Sequence, residues 1–162
     1  MSELDLLLHN LDQAFGKKAW HGPNLRGALA RLGADDAAWR PAAGRHNAWE
    51  LAVHCAYWKY AVWRQLTGQP KGSFPLEGSN FFARPDGPAD EAAWKADRKL
   101  LDTIHRRLRE AAAALTPRRL GVKPEGSKYP ARELLVGIAS HDLYHAGQIQ
   151  LLKRLRAGAR SA

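Results

Sequence analysis

Between Leu134 and Leu155 the chain carries one unbroken helical pattern, and two histidines stand in its apolar stripe. Leu134, Ile138, His141, His145, Gln148 and Leu152 follow one another at gaps of 4, 3, 4, 3 and 4, the spacing of a single helix face. Within His141-Asp-Leu-Tyr-His145 the two imidazoles are about one turn apart, so both rings leave the same side, one above the other. Any fold of this chain must therefore accommodate imidazoles in a stripe that is expected to be buried. Their ring nitrogens need partners there, because burying a polar group without one costs roughly 2–7 kcal/mol. Hydrogen bonds to core groups would meet that need. A divalent metal ion is the more economical answer, since each ring can turn one nitrogen to the ion and the other to an acceptor behind it.

A third histidine shifts the balance towards metal. Asn47 to Leu66 also reads as helix, and Leu51, His54, Trp58, Ala61 and Gln65 recur at gaps of 3, 4, 3 and 4. His54, His141 and His145 on two inward stripes supply three ligands and leave a coordination position for water or substrate, as catalytic sites do. The expected ion is zinc, nickel, iron or manganese, because imidazole accepts several first-row metals and spacing does not choose among them. The zincin signature H-E-x-x-H is not met: Asp142 stands where the general-base Glu would be, and its shorter side chain would not reach the same water. Asp142 leaves the helix about 100° from His141 and is a weak candidate for a general base. Cys55 is turned by the same angle from His54 and reads as a small buried filler.

Further helical stripes surround these two. Leu4, Leu7, Leu8, Leu11 and Phe15 form one, interrupted at Gly16 and at Trp20-His-Gly-Pro23; Leu25, Leu29 and Leu32 resume it until Gly33. The first helix is expected to be kinked or split there. Residues 34–45, with Pro41 and Gly44, read as a connection; Asn47 and Glu50 have the spacing of an N-cap and its N3 partner. Gly68 closes the second helix, and the stretch to Pro88, rich in Gly and Pro and carrying Phe81-Phe82, is a long helix 2 to helix 3 connection of the kind used for a lid or crossover. Trp94, Leu101, Ile104, Leu108, Ala111 and Leu115 define a third helix, with His105 beside the stripe and not expected as a ligand. Residues 116–129 connect it to Pro130, placed at the first position of the fourth helix. No convincing strand alternation occurs. The expected architecture is an all-α four-helix bundle forming one domain over residues 1–162.

One cysteine in 162 residues permits no intramolecular disulfide, which suits a reducing compartment, and the N-terminus lacks a signal-peptide pattern; the expectation is a cytoplasmic protein without a membrane span. The net charge of +9 raises the question of nucleic acid. The cations concentrate at Arg106, Arg107, Arg109, Arg118 and Arg119 and at Lys153, Arg154, Arg156 and Arg160, read as solvated helix ends. Without a recognisable nucleic-acid motif, nucleic acid is not an expected partner. Arg98, Arg106 and Arg109 would receive an anionic substrate only if they lay at the bundle mouth. The six tryptophans read mainly as filler between helices; Trp58 and Tyr144 are candidates for a pocket wall, although core packing is the expected role of Trp58.

Nearly the whole chain resembles the DinB-like group of four-helix-bundle proteins. The resemblance is carried by Ala19-Trp-His-Gly-Pro23, by Arg40-Pro41 with Gly44, by Glu50-Leu-Ala-Val-His54, and most specifically by His141-Asp-Leu-Tyr-His-Ala-Gly-Gln-Ile149. It implies a divalent metal held by His54, His141 and His145 and a homodimer. It further implies kinship with metal-dependent transferases that join a low-molecular-weight thiol to an electrophile, in detoxification or stress response. Hydrolysis by a metal-activated water is the related possibility. A non-catalytic interaction protein whose metal only stabilises the bundle is the alternative from another class, and it would close the ion with a fourth protein ligand.

Overall fold

The computed structural model describes residues 1–161. They form seven helices, α1 (Glu3–Phe15), α2 (Leu25–Leu29), α3 (Ala34–Ala38), α4 (Ala48–Thr67), α5 (Glu91–Ala113), α6 (Pro117–Leu120) and α7 (Ala131–Ser161), with no strand among the described residues. The four long helices α1, α4, α5 and α7 make the bundle. The first predicted helix is split as expected: α1 stops at Gly16, and α2 begins afresh where the Asn24 side chain accepts from Gly27 N–H. Two short helices, α3 and α6, fall inside segments that read as plain connections; each is about one turn, too short to show a 3.6-residue stripe.

Asn47 caps α4, its Oδ1 accepting from Glu50 N–H at 2.8 Å. Glu50 does not return the bond. Its carboxylate turns outward to Arg40 and His46 instead, so half of the expected capping box is spent on tying the preceding segment to α4. Gly68, at φ 69°, ends α4 in the left-handed conformation that L side chains adopt only with strain.

Around the bundle α1 packs on α5 and α7, and α4 packs on α5 and α7. Trp49, near the start of α4, meets Trp94, near the start of α5, while Val62 and Leu66 share a cluster with Leu108 and Ala112. α4 and α5 therefore run parallel. α7 runs the other way along α4, with Ile149 beside the Trp49 cluster and Leu135 beside Val62 and Leu66. A parallel pair needs a crossover, and residues 69–90, which contain no helix, supply it. Phe82 anchors this crossover in the core, whereas Phe81 remains partly exposed.

The core divides into two apolar clusters along the bundle axis. One gathers Phe15, Leu25, Trp49, Trp94, Leu101 and Ile149; the other gathers Leu7, Leu11, Leu66, Leu108, Leu120 and Leu135. Each fully buried aliphatic or aromatic side chain contributes about 1.5–3 kcal/mol relative to exposure. Between the clusters lies a polar level: Lys59 of α4, His105 of α5 and Asp142 of α7, all buried.

That level corrects the inward faces expected from periodicity. The buried line of α7 runs through Leu135, Ile138, Ala139, Asp142, His145, Ala146 and Ile149, so Asp142 is at its centre, His145 lies on it as expected and His141 is at its edge. On α4, Lys59 and Val62 face inward while Trp58 is 40% exposed. Hydrophobic periodicity assigns Asp and Lys to solvent; here they neutralise one another inside. His105 is also buried, stacked on Phe15 at 3.6 Å between centroids, rather than standing beside its stripe. Of the six tryptophans only Trp49 and Trp94 are fully buried, Trp63 packs half-buried against the second cluster, and Trp20 is wholly exposed, so filler describes three of them.

Candidate metal centre

His54 comes from the middle of α4, and His141 and His145 from successive turns of α7. Because the two helices are antiparallel neighbours, the three rings meet. The Nε2 of His141 is 3.0 Å from that of His54 and 3.1 Å from that of His145. All three ligand atoms lie within 4.8 Å of one another, a grouping able to hold a metal ion.

The outer nitrogens set the tautomers. His54 Nδ1 is 2.8 Å from the Asn80 carbonyl, which can only accept, so this nitrogen carries the hydrogen and Nε2 presents a lone pair. His145 Nδ1 likewise faces Gln148 Oε1 at 2.6 Å. Two bare Nε2 atoms thus converge on His141 Nε2, whose single possible hydrogen can serve only one of them. A cation satisfies all three together, and imidazoles sharing one zinc-sized ion hold their nitrogens about 3.3 Å apart. The donor set fits a divalent metal.

Electrostatics favour the ligating form. Burial lowers His54 to about 4 against the opposing upward pull of its bond to Asn80, with smaller downward contributions from His145 and His46. Burial, then His145, His54 and Lys59, lower His141 to about 3, and burial also lowers His145. The rings are neutral at physiological pH, so no proton need leave before an ion enters.

Asn80, unremarked in the sequence, organises the near side. Its backbone sits at φ 66°, a region Asn tolerates better than most residues; its carbonyl holds His54, and its side-chain oxygen accepts from Trp58 Nε1–H at 2.9 Å. Next to it Phe81 lies flat on His54, 4.0 Å between centroids at 10°, and on His46, 3.8 Å at 6°. The crossover thus covers one face of the candidate site. Gln148 stood in the expected stripe, three residues past His145, and that spacing was its only signal.

Two depressions reach the triad from opposite ends of α7. One, about 960 Å³, is walled by Leu7, Trp58, Val62, Tyr129 and Val136 and ends at His141. The other, about 700 Å³, carries Arg45, His46, Tyr144, Gln148 and Leu151 and touches His54 and His145. Trp58 and Tyr144 are both wall residues, and Trp58 is not core.

A family model described as the DinB superfamily matches residues 19–149. The chain belongs to the DinB superfamily. No curated protein and no solved structure gives a match. No helix among the described residues of this DinB superfamily member is long and apolar enough to cross a membrane.

Other residues singled out in the sequence lie elsewhere. Asp142 is ion-paired with Lys59 in the core, which removes it as a general base at the triad. A ring nitrogen of His141, a carboxylate oxygen of Asp142 and the Cys55 thiol lie within 4.8 Å, so Cys55 is nearer the triad than its helix angle suggested. It lies behind it, fully buried, and burial pushes its thiol up, as suits filler. Lys59 already holds Asp142, so a second cation there would have to displace an ammonium. Arg109 is engaged with Asp12, and Arg98 lies over Trp94; neither these nor Arg106 lines a depression that reaches the triad. Several cations read as solvated helix ends instead join elements: Lys153 donates to the Ala28 and Ala30 carbonyls, and Arg156 and Arg160 pair with Asp36.

Proposed function

We propose that this DinB superfamily member is a metal-dependent enzyme, most specifically a thiol S-transferase, with His54, His141 and His145 as the metal ligands. The observation that carries the metal site is the convergence of two bare Nε2 lone pairs on a third imidazole, which protein hydrogen bonds alone leave unresolved. When bound, a divalent ion supplies positive charge that favours a thiolate, or a hydroxide, near neutral pH.

The transferase form is supported by the two depressions. Group transfer brings together two organic reactants, whereas hydrolysis needs one and water. The larger cleft, apolar along Leu7, Trp58, Val62 and Val136, suits an apolar electrophile. The other is also largely apolar, through Leu51, Phe81 and Leu155, but it presents Arg45, His46 and Gln148, groups able to hold the polar end of a thiol of low molecular weight. Trp58, held by Asn80, keeps its ring edge-on to His141 at 6.4 Å and forms the wall along which the first reactant would lie. Three protein ligands leave a four-coordinate ion one position for the second. Phe81 and the crossover exclude water from the outer face of His54. A homodimer belongs to the same proposal: Val136, Tyr144, Leu151 and Leu155 leave apolar surface exposed along α7 and also line the two depressions, so a second copy seated there would complete their outer walls.

Metal analysis of protein purified without chelator or a histidine tag tests the site, beside the triple variant His54→Ala, His141→Ala, His145→Ala. The expected result is near one equivalent of metal, lost in the variant, followed by thiol consumption with apolar alkyl or aryl electrophiles. Equal metal content in both proteins would reject the ligand assignment. Metal at full occupancy with hydrolysis but no thiol transfer would replace the transferase by a hydrolase.

A further inference from the structure

Each ligand imidazole needs something behind it to fix its ring and tautomer, and two of the three have it: the Asn80 carbonyl behind His54 and the Gln148 amide oxygen behind His145. His141 Nδ1 is buried with no partner. One other orphan stands close by. Asp142 is fully buried; its Oδ2 accepts from Lys59 Nζ, while its Oδ1 has no partner. A ring nitrogen of His141 and a carboxylate oxygen of Asp142 are within 4.8 Å, a span that one bridging water at about 2.8 Å from each would close with the ring left in the triad.

Resting on the metal-site reading above, we propose that Asp142, clamped by Lys59, is the positioning residue for His141: its free Oδ1 receives the Nδ1 hydrogen through one water. This accounts for a pair that packing alone does not explain. An ion pair buried to 0% exposure on both sides is often no more stabilising than apolar residues of the same volume, yet here it interrupts the core between two apolar clusters at the level of the triad. Lys59 has a second neighbour, the Phe15 ring at 5.0 Å, which helps hold the ammonium in place so that Asp142 presents Oδ1. A carboxylate behind His141 also makes it the most strongly donating of the three imidazoles, since the others are backed by neutral oxygens.

The test compares zinc affinity of the wild type and Lys59→Met/Asp142→Leu, with urea unfolding of both metal-free proteins. The proposal expects unchanged or raised metal-free stability and a 10–100-fold weaker zinc Kd. In a His141→Ala background the same pair replacement should weaken zinc no further, because its effect passes through His141. Unchanged zinc affinity in a folded double variant, or an equal loss with and without His141, overturns the proposal. Should the double variant not fold, cobalt-loaded Asp142→Asn answers the question: its ligand-field bands shift if the carboxylate acts on His141, and identical bands refute it.

Discussion

Replacing Glu50 by Gln isolates how the segment before α4 is fixed beside the candidate site. The Glu50 carboxylate takes two bonds from Arg40, at 2.9 and 2.5 Å, one from His46 at 2.9 Å, and one from Arg84 N–H at 3.4 Å. Burial alone would raise its pKa, but these donors outweigh burial and hold it at about 2, against an ordinary 4.5. That difference corresponds to about 3 kcal/mol of native-state stability at neutral pH. Arg40 keeps partial access to water, which weakens its share, so the expected loss in Glu50→Gln is about 2–3 kcal/mol, or roughly 4–12 °C in Tm for a chain of this size. The folded-state pKa lies below the unfolded one. The contribution is therefore complete above pH 4.5 and disappears as pH falls through about 2. Urea unfolding of both proteins at pH 7, 5, 4 and 3 should show the gap between wild type and variant closing over the two lower values. A gap below about 1 kcal/mol at pH 7, or one that stays constant down to pH 3, would refute this account of Glu50.

Asn80→Val forces a β-branched residue into φ 66° and should cost about 1–2 kcal/mol while weakening zinc binding; Asn80→Gly, free to adopt that conformation, should bind zinc as the wild type does, and equal affinities in the two variants would count against Asn80 as organiser. Lys59→Met alone strands Asp142 in the core and should lower stability by about 3–5 kcal/mol in urea titration, a loss that Asp142→Leu in the same chain reverses; an additive second loss would contradict the pairing. The metal-free protein should lose stability as pH falls below 6.5, because the unfolded chain takes protons that buried His54, His141 and His105, at about 4, 3 and 2, refuse; a urea midpoint flat from pH 7 to 5 would contradict their burial as neutral rings.

Local spacing determined much of this protein. The i, i+4 geometry of His141 and His145 is a property of any helix, so those rings were bound to share a face. The end signals at Gly16, Asn47 and Gly68 act within a few residues, and the structure uses all three. The absence of strand alternation, together with four long amphipathic stretches, left a bundle as the way to cover their apolar faces. Tertiary structure decided what distance along the chain hides. Whether His54 meets the pair depends on α4 and α7 being antiparallel neighbours, which helix periodicity does not encode. The parallel run of α4 and α5 turns the Gly- and Pro-rich segment into a crossover, and only that path delivers Asn80 and Phe81 to His54. The inward direction of Lys59 and Asp142 was illegible for a simpler reason. Hydrophobicity assigns each residue singly to solvent, and burial of either becomes tolerable only when the other, 83 positions away in the chain, is placed against it.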